Sequence, residues 1–540
     1  MTLRSTRKSL VALAVAALAG TLLVSLPAAN AATGANCKVN TPASKAQCDL
    51  IKVALVNKVV TLDPGSSVRT TNQNYVTKDL VQGKLFRIAA DGLPKKDLIS
   101  DYKVSDDGKT WTLTLKKGLK YSDGATPVQA DDAVFAFEYV KGSTAGIPPG
   151  FGVVDSVKAP DTSTIVFTLK QRFDDFPYFL AGLYYHLNPR SKAAGNADYW
   201  KNPLSAGPFK IKSWTPGDDI FSIEANPNYW AKVAVKQVDF VAIPDPVTRV
   251  IALRQGTIDY AFDLPGAIAR GQLGDKSKYR WTPTQAQGTF TLDFNLKATT
   301  PGGAKAGSPL SNVKVRQALS YAANRKQMGQ VAFFGDVSPG CSITWANSPL
   351  ATCAIPTRTK QDLDKAKALL KEAGYENGID PATKAAIAFN LTVFNRPGWA
   401  DAASLLAADW AKIGVKATVI PQLDSVGSAA QTSGDFNVQL SGGTGQIPTL
   451  LLRTYYGKTG AWVVWAGSSS DDAALDAIDA APAADKKALI AAVEKKIWDE
   501  AAHIPLGQRF WFGVTTLPAG VFTNIKGNDT YVVKSTPPLS

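Results

Sequence analysis

Apolar positions recur along this chain with two different periods, and the change of period divides it into blocks. The stretch "IKVALVNKVVTLDPG", starting at Ile51, reads as a strand that breaks at Asp63, Pro64 and Gly65. In "YKVSDDGKTWTLTLKKGLKYSDG" two alternating segments flank Asp107 and Gly108, which predicts a hairpin, and a second turn falls at Asp123 and Gly124. "PVQADDAVFAFEYV" has helical spacing with Asp131 or Asp132 near its start, and "GVVDSVKAPDTSTIVFTLK" predicts another strand pair. Together these predict a compact α+β unit.

A second block begins near Ser205, where "SAGPFKIKSWTPGDDIFSIEANPNYW" predicts two strands joined at Pro216 and Gly217. "KQVDFVAIPDPVTRVIALRQGTIDYAF" then reads strand, helix, strand, the order a βαβ crossover demands. The third block repeats the alternation. "VKVRQALSYAANRKQM" and "LDKAKALLKEAGY" read as helices, "AFNLTVFNR" as a strand, "AASLLAADWAKIGV" as a helix closing at Gly414, and "KATVIP" as a strand. Strands alternating with helices of this length predict parallel sheets covered on both faces, with ligands bound at the carboxyl ends of strands. Arg396, in "TVFNRPGWAD", stands at such an end.

The N-terminus changes the setting of this picture. Arg4, Arg7 and Lys8 precede an apolar run that closes on Pro27 and the Ala29-Asn30-Ala31 triplet, a secretory signal peptide over residues 1–31 with cleavage near Ala31. Cys37 follows "TGAN", a poor fit to a lipid-attachment signal, so the mature chain is expected to be exported without lipid, to a periplasm or a cell exterior. About 509 residues then remain, enough for two or three domains. Without the three signal charges, 56 basic residues stand against 45 acidic ones, a net of +11 spread along the chain, which favours solubility over nucleic-acid binding. Cys37 with Cys48, and Cys341 with Cys353, are spaced for two local disulfides rather than for a redox or zinc site.

Reactive groups are scarce. The two histidines, His186 and His503, lie far apart and outside metal-binding motifs, and neither a nucleophile elbow nor a phosphate loop occurs. The glycines of "SGGTGQIP", Ser441 to Pro448, could approach an anion, but the proline argues against a helix starting there. Asp131 with Asp132, and Asp471 with Asp472, could act as acid and base in a glycosidase, yet both pairs open amphipathic runs, where capping explains them better.

The stretches "LDPG", "WTLTLKKGLKYSDGATPVQADDAVFAFE", "AGPFKIKSWTPGDDIFSIEANPNYW", "ALRQGTIDYAF", "VKVRQALSYAANR", "AKALLKEAGY" and "LAADWAKIGVKATV" resemble, in order, the signatures of the peptide and nickel class of ABC-transporter substrate-binding proteins, solute-binding protein family 5. They span most of the mature chain. The resemblance, which includes similarity to dipeptide- and oligopeptide-binding proteins, implies an α/β, two-lobed periplasmic-binding fold of type II with an additional α+β domain, three domains in a cluster C-like arrangement. Lobe I would take residues 38–84, 204–283 and 504–540, the additional domain 85–203, and lobe III 284–503. It also implies a non-catalytic monomer without cofactor that captures short peptides or a related small organic solute between its lobes and delivers it to a membrane permease driven by an ATPase. The alternatives are an exported hydrolase, or a nickel-, opine- or oligosaccharide-binding member of the same family.

The resemblance also implies site residues. In dipeptide-binding relatives an Arg-Pro pair between strand and helix grips the ligand carboxylate, and Arg396 with Pro397 matches it. A planar guanidinium suits that task. The same relatives set an aspartate against the ligand amino group in a tryptophan-containing glycine-rich loop; here Gly443 stands for the tryptophan and Gln446 for the aspartate. No acidic residue occurs from Phe436 to Ser470, so a peptide ammonium buried there would be poorly compensated, and the expected ligand has an acidic or strongly polar group held by Arg396. Thr444 joins this set, and Trp345 and Trp399 are read as loop residues that cover apolar parts of the ligand, whereas Trp462 and Trp465 in "GAWVVWAG" read rather as core. Mass spectrometry of the secreted protein should show a mature start at Ala32 and no free thiol; lipid on Cys37 would contradict both the cleavage site and the soluble form.

Overall fold

The computed structural model describes residues 37–40, 45–66, 72–89, 93–143, 151–182, 184–233, 235–343, 350–353, 360–396, 398–444, 449, 451–452, 456–457, 469–517, 522–524 and 531–533. Its backbone is organised by one twelve-stranded sheet. The central path runs Lys416–Gln422, Ala388–Phe394, Val438–Thr444, Arg280–Phe294, His503–Thr515, Tyr260–Leu264, Lys45–Leu55, Val235–Ala242, Ile220–Ala225, Phe209–Ser213.

Two long strands join the halves of this sheet. Arg280–Phe294 pairs antiparallel with His503–Thr515 from Arg280 opposite Thr515 to Thr284 opposite Trp511; the register then shifts, and pairing resumes from Gly288 opposite Arg509 to Asp293 opposite His503. The expected lobe boundary at 503/504 falls at the start of this strand, whereas the strand changes its pairing between Arg509 and Trp511. These antiparallel partners also make the sheet mixed rather than parallel throughout, because chain returning from the far half must run against the strand that left.

On one side of the crossing the expected βαβ unit is present. Val235–Ala242 and Tyr260–Leu264 pair parallel with opposite edges of Lys45–Leu55. The helix between them, Pro246–Gln255, opens with Asp245 accepting from the Thr248 amide at 2.7 Å and closes at Gly256 with φ 72°. On the other side Ala388–Phe394 pairs parallel with Lys416–Gln422 and Val438–Thr444, the links being the helices Trp399–Ala411 and Asp424–Ser433. There the crossing strand shows two characters. Phe290, Leu292 and Phe294 enter an apolar core with Leu391, Val393 and Trp410. The alternate residues Thr289, Thr291 and Asp293 are buried and polar, flanked in register by Gln439 and Ser441, and His503 Nδ1 lies 2.5 Å from Asp293 Oδ1.

The run expected as one helix from Val313 is two, Val313–Ala322 and Arg325–Val331. Asn324 interrupts it: its side chain accepts from the Gln327 amide, and its own amide donates to Asp409 Oδ2 at 2.8 Å. A local cap and a tertiary partner together outweigh the continuous helical pattern.

The α+β unit has the order Ile99–Val104, Thr110–Leu115, Thr164–Leu169, Val154–Lys158, all antiparallel, with the predicted turn at Gly108 in a left-handed conformation. The helix Ala130–Lys141 starts as capping predicts: Asp132 accepts from the Gln129 amide at 3.0 Å, from Tyr121 and from the Arg190 amide. A buried ionic network welds this unit to the large sheet. Asp79, on the helix Asn72–Val81, lies 2.5 Å from Lys84 Nζ and 2.9 Å from His186 Nε2, and Lys84 also donates to the Ala181 and Gly182 carbonyls. Beside it, Arg87 meets Asp97 at 2.5 Å, and Tyr229 and Trp230 donate to the same carboxylate. Burial alone would push the Asp79 carboxyl up, but Lys84 and His186 outweigh it and hold the pKa at about 2. Burial, aided by the Lys84 charge, pushes His186 down to about 3.

Both shifts weaken the folded state in acid. A histidine depressed on folding contributes stability that is complete above its unfolded value of about 6.5 and is lost as pH falls towards about 3. His186→Gln keeps a donor for Asp79 but does not titrate. Denaturant titrations at stepped pH between about 6 and 4 should give a stability slope shallower than wild type by about 1.4 kcal/mol per pH unit. Parallel slopes would show that His186 is not held neutral.

Candidate ligand-binding site

The strand Ala388–Phe394 ends at the crossing, and four residues separate it from the next helix. Asn395 keeps one more bond to its neighbour strand, its amide donating to Gln422 O at 2.8 Å; the Arg396 amide then donates to Phe394 O, and the Trp399 amide to Arg396 O. Gly398 makes the turn possible, with φ 80° and a position where a Cβ would sit 2.4 Å from Ala332 O. The helix Trp399–Ala411 starts at once. This path brings the half-buried Arg396 side chain against two aromatic rings that stand nearly perpendicular to each other: its guanidinium carbon lies 4.7 Å from the Phe394 centroid and 5.2 Å from that of Trp399. Cation–π contacts with both rings limit where the guanidinium can go.

Trp399 itself differs from expectation. It opens a helix rather than lying in a loop, and at 2 % exposure it belongs to the core, edge-on to Phe290 at 4.7 Å and to Phe394 at 5.7 Å. It packs against Arg396 from within the core. The glycine-rich stretch differs as well. Ser441, Gly442, Gly443 and Thr444 are the end of the strand Val438–Thr444, paired with Thr291, Phe290, Thr289 and Gly288 of the crossing strand. Gly442 answers to packing rather than to an anion: a Cβ there would come within 2.8 Å of Thr289 O and 3.2 Å of the Trp399 ring.

Arg396 and the backbone of Thr444 thus reach the same end of this half of the sheet, where Gly288 pairs with both Thr444 and Arg509. The side chain of Thr444, and Pro397, Gln446, Trp345, Trp462 and Trp465 entirely, lie outside the described residues. Cys341 and Cys353 form the expected disulfide, with Cα atoms 5.0 Å apart. For the other pair, the ladder between Cys37–Asn40 and Lys45–Leu55 sets Cys37 directly opposite Cys48. The sequence reading missed Glu494, which is fully buried and accepts from Ser342 Oγ at 2.6 Å, from the Ile343 amide at 2.8 Å and from Thr352 Oγ1, clamping both flanks of the stapled loop. Its signal was present: Glu494 lies among Ile490, Val493 and Ile497, on the apolar stripe of its helix.

The two histidines are occupied in buried carboxylate pairs, His186 with Asp79 and His503 with Asp293. Among the described residues no three His, Cys, Asp or Glu side chains gather to hold a metal ion. Asp132 is taken up by the start of its helix, and Asp131 by Arg190 at 3.0 Å.

Residues 94–461 match the family model described as bacterial extracellular solute-binding proteins, family 5 middle. The chain belongs to that family. Its curated relatives include the glutathione-binding protein GsiB of Escherichia coli strain K12, 27% identical over 490 residues, covering 84% of this chain and 88% of that protein. Solved structures show the same fold at lower identity. The dipeptide-binding protein of Pseudoalteromonas sp. SM9913, in complex with Met-Leu, aligns with a TM-score of 0.76 at 18% identity, over 89% of this chain and 98% of its own. DppA of Helicobacter pylori, with the peptide STSA, aligns with a TM-score of 0.73 at 20% identity, over 90% and 98%. The family 5 fold is thus a multi-domain α/β architecture in this chain too, with the large mixed sheet and the separate four-stranded one as its parts.

Gly442→Ala should therefore displace Trp399 or the crossing strand. The expected cost is about 1–3 kcal/mol by chemical denaturation, together with altered near-ultraviolet dichroism. An unperturbed variant would mean that the contact between Gly442 and Trp399 is loose.

Proposed function

We propose that this chain, a family 5 substrate-binding component of an ABC importer, captures a small organic solute bearing a carboxylate or another strongly polar acceptor, a short peptide or a related compound, in the cleft where the two halves of the sheet meet. The observation that carries the reading is Arg396, set at a strand end beside the crossing with its guanidinium held against both Phe394 and Trp399. A fork oriented in advance loses little freedom when it makes two bonds to a carboxylate. Names of relatives support the class of ligand: glutathione, Met-Leu and the peptide STSA all end in carboxylates, and AgaA of A. tumefaciens R10 was solved with agropinic acid.

In this reading residues 1–31 direct export and are removed, the mature chain is not lipidated, and it acts as a monomer with lobe I near 38–84, 204–283 and 504–540, an additional domain near 85–203 and lobe III near 284–503. Cys37 and Cys48 form a second disulfide. Thr444, Gln446 and Trp345 join Arg396 at the ligand. The two sheet halves close on the solute about the crossing strands, and the loaded form docks on a membrane permease, whose ATPase supplies the energy. Closure follows from ligand contacts that are stronger in the closed state than in the open one. Native mass spectrometry of the purified protein should identify the bound solute, and calorimetry with that compound should show Arg396→Ala weakening binding by roughly 2–4 kcal/mol. Unchanged affinity in a folded variant would remove Arg396 from the site.

A further inference from the structure

One buried charge sits where its own helix does not explain it, and its partner lies half-buried against it. Lys486 is the fourth residue of the helix Ala483–Glu500, near the positive end of the helix dipole, and its side chain is only 4 % exposed. Asp175 immediately precedes the helix Phe176–Ala181 but makes no side-chain capping bond to it. Each accounts for the other: Lys486 Nζ lies 2.8 Å from Asp175 Oδ2. Nearby, Gln171 Nε2 donates to Asp476 Oδ1 at 3.1 Å, Asp476 standing on the preceding helix, Ser469–Ala480.

These bonds join two bodies with different attachments. Asp175 and Gln171 belong to the α+β unit, whose core includes Phe173, Phe176 and Phe179 and which is welded to the Lys45–Leu55 half of the sheet through Asp79, Lys84 and His186. Lys486 and Asp476 belong to a helix pair with its own core, including Ile478, Ile490 and Val493, which leads directly into the other half at His503. A second contact between the halves is Asp336, which meets Arg270 at 2.9 Å and the Gly266 amide at 2.6 Å. It differs in place: Asp336 adjoins Val337, paired with Arg509 where the strand changes partner, so it sits at the pivot.

We infer that Lys486 and Asp175 form a latch that exists only in the closed form and sets how firmly the halves stay together, without either residue touching the solute. The inference rests on the solute-binding reading above, because only a protein that opens and closes has use for it. In the closed form the pair is mutually satisfied. Opening returns both charges to water, and removing one of them leaves its partner desolvated and alone, which penalises closure selectively.

The test needs no ligand. Asp175→Cys with Lys486→Cys, bridged by a short thiol–thiol crosslinker that spans the length of the lost side chains, locks the contact; the same protein alkylated instead leaves it free. Small-angle scattering of protein stripped of solute by unfolding and refolding should give a smaller radius of gyration for the locked form, with matching far-ultraviolet dichroism. Lys486→Asp and Asp175→Lys, each placing like charges together, should resist compaction, and the double reversal should recover it. Equal scattering from locked and alkylated forms would overturn the latch and make the pair a permanent weld; failure of the cysteines to join would overturn the contact itself. Neither result bears on Arg396, whose variant tests the solute-binding reading alone.

Discussion

The pairing of Arg280–Phe294 with His503–Thr515 is the constraint on which the rest of the molecule depends. Residues more than 200 positions apart in sequence are brought side by side, and each strand spends one part of its length in each half of the sheet. Had the halves been joined by loops, their relative position would be loose. Joined by two hydrogen-bonded strands, they share one pivot, and one of the two shifts of register in this pairing, between Thr284 and Gly288, places irregular backbone there. The ends of Ala388–Phe394 and Val438–Thr444 come to this same place, so the position of Arg396 is inherited from the pairing of strands distant in sequence.

Charge burial divides the remaining contacts into two kinds. Around Asp79 and Asp97, a lysine, an arginine and a neutral histidine are enclosed together with hydroxyl, indole and carbonyl partners, so the buried charges of Lys84, Arg87 and the two aspartates each have several bonds. Such a cluster is costly to take apart, since breaking one pair strands another. The α+β unit is consequently joined to the Lys45–Leu55 half by buried charges that each hold more than one bond. The contact between Lys486 and Asp175 is single by comparison, which suits a junction that has to open.

What could be read from the sequence was what local physics decides. The hairpin at Gly108, the capped helix at Asp132 and the βαβ unit around Pro246–Gln255 all follow from residues within a few tens of positions. The strand end carrying Arg396 was legible for the same reason. The misreadings share another cause. Asn324 breaks a well-patterned helix because Asp409, 85 positions away, takes its amide. Gly442 resembles part of a binding loop until Thr289 and Trp399 are seen pressing on it, and Trp399 resembles a ligand platform until Phe290 is seen against its edge. Glu494 is understood only once Ser342, Ile343 and Thr352 arrive around it. In each case the deciding atom comes from a part of the chain that no short window includes.

The buried polar row of Thr289, Thr291, Asp293, Gln439, Ser441 and His503 has a bearing on precision. A sheet covered on both faces is commonly apolar on both, and a strand in it can slide by one residue at modest cost, exchanging one greasy side chain for another. Here the two faces are chemically unlike. A slip of one place would drive Phe290, Leu292 and Phe294 among hydroxyls and amides and carry Asp293 away from His503 into hydrocarbon. The polar face therefore works as a ruler laid along the crossing strand, fixing the length of chain that reaches the pivot, and with it how far apart the two halves can stand.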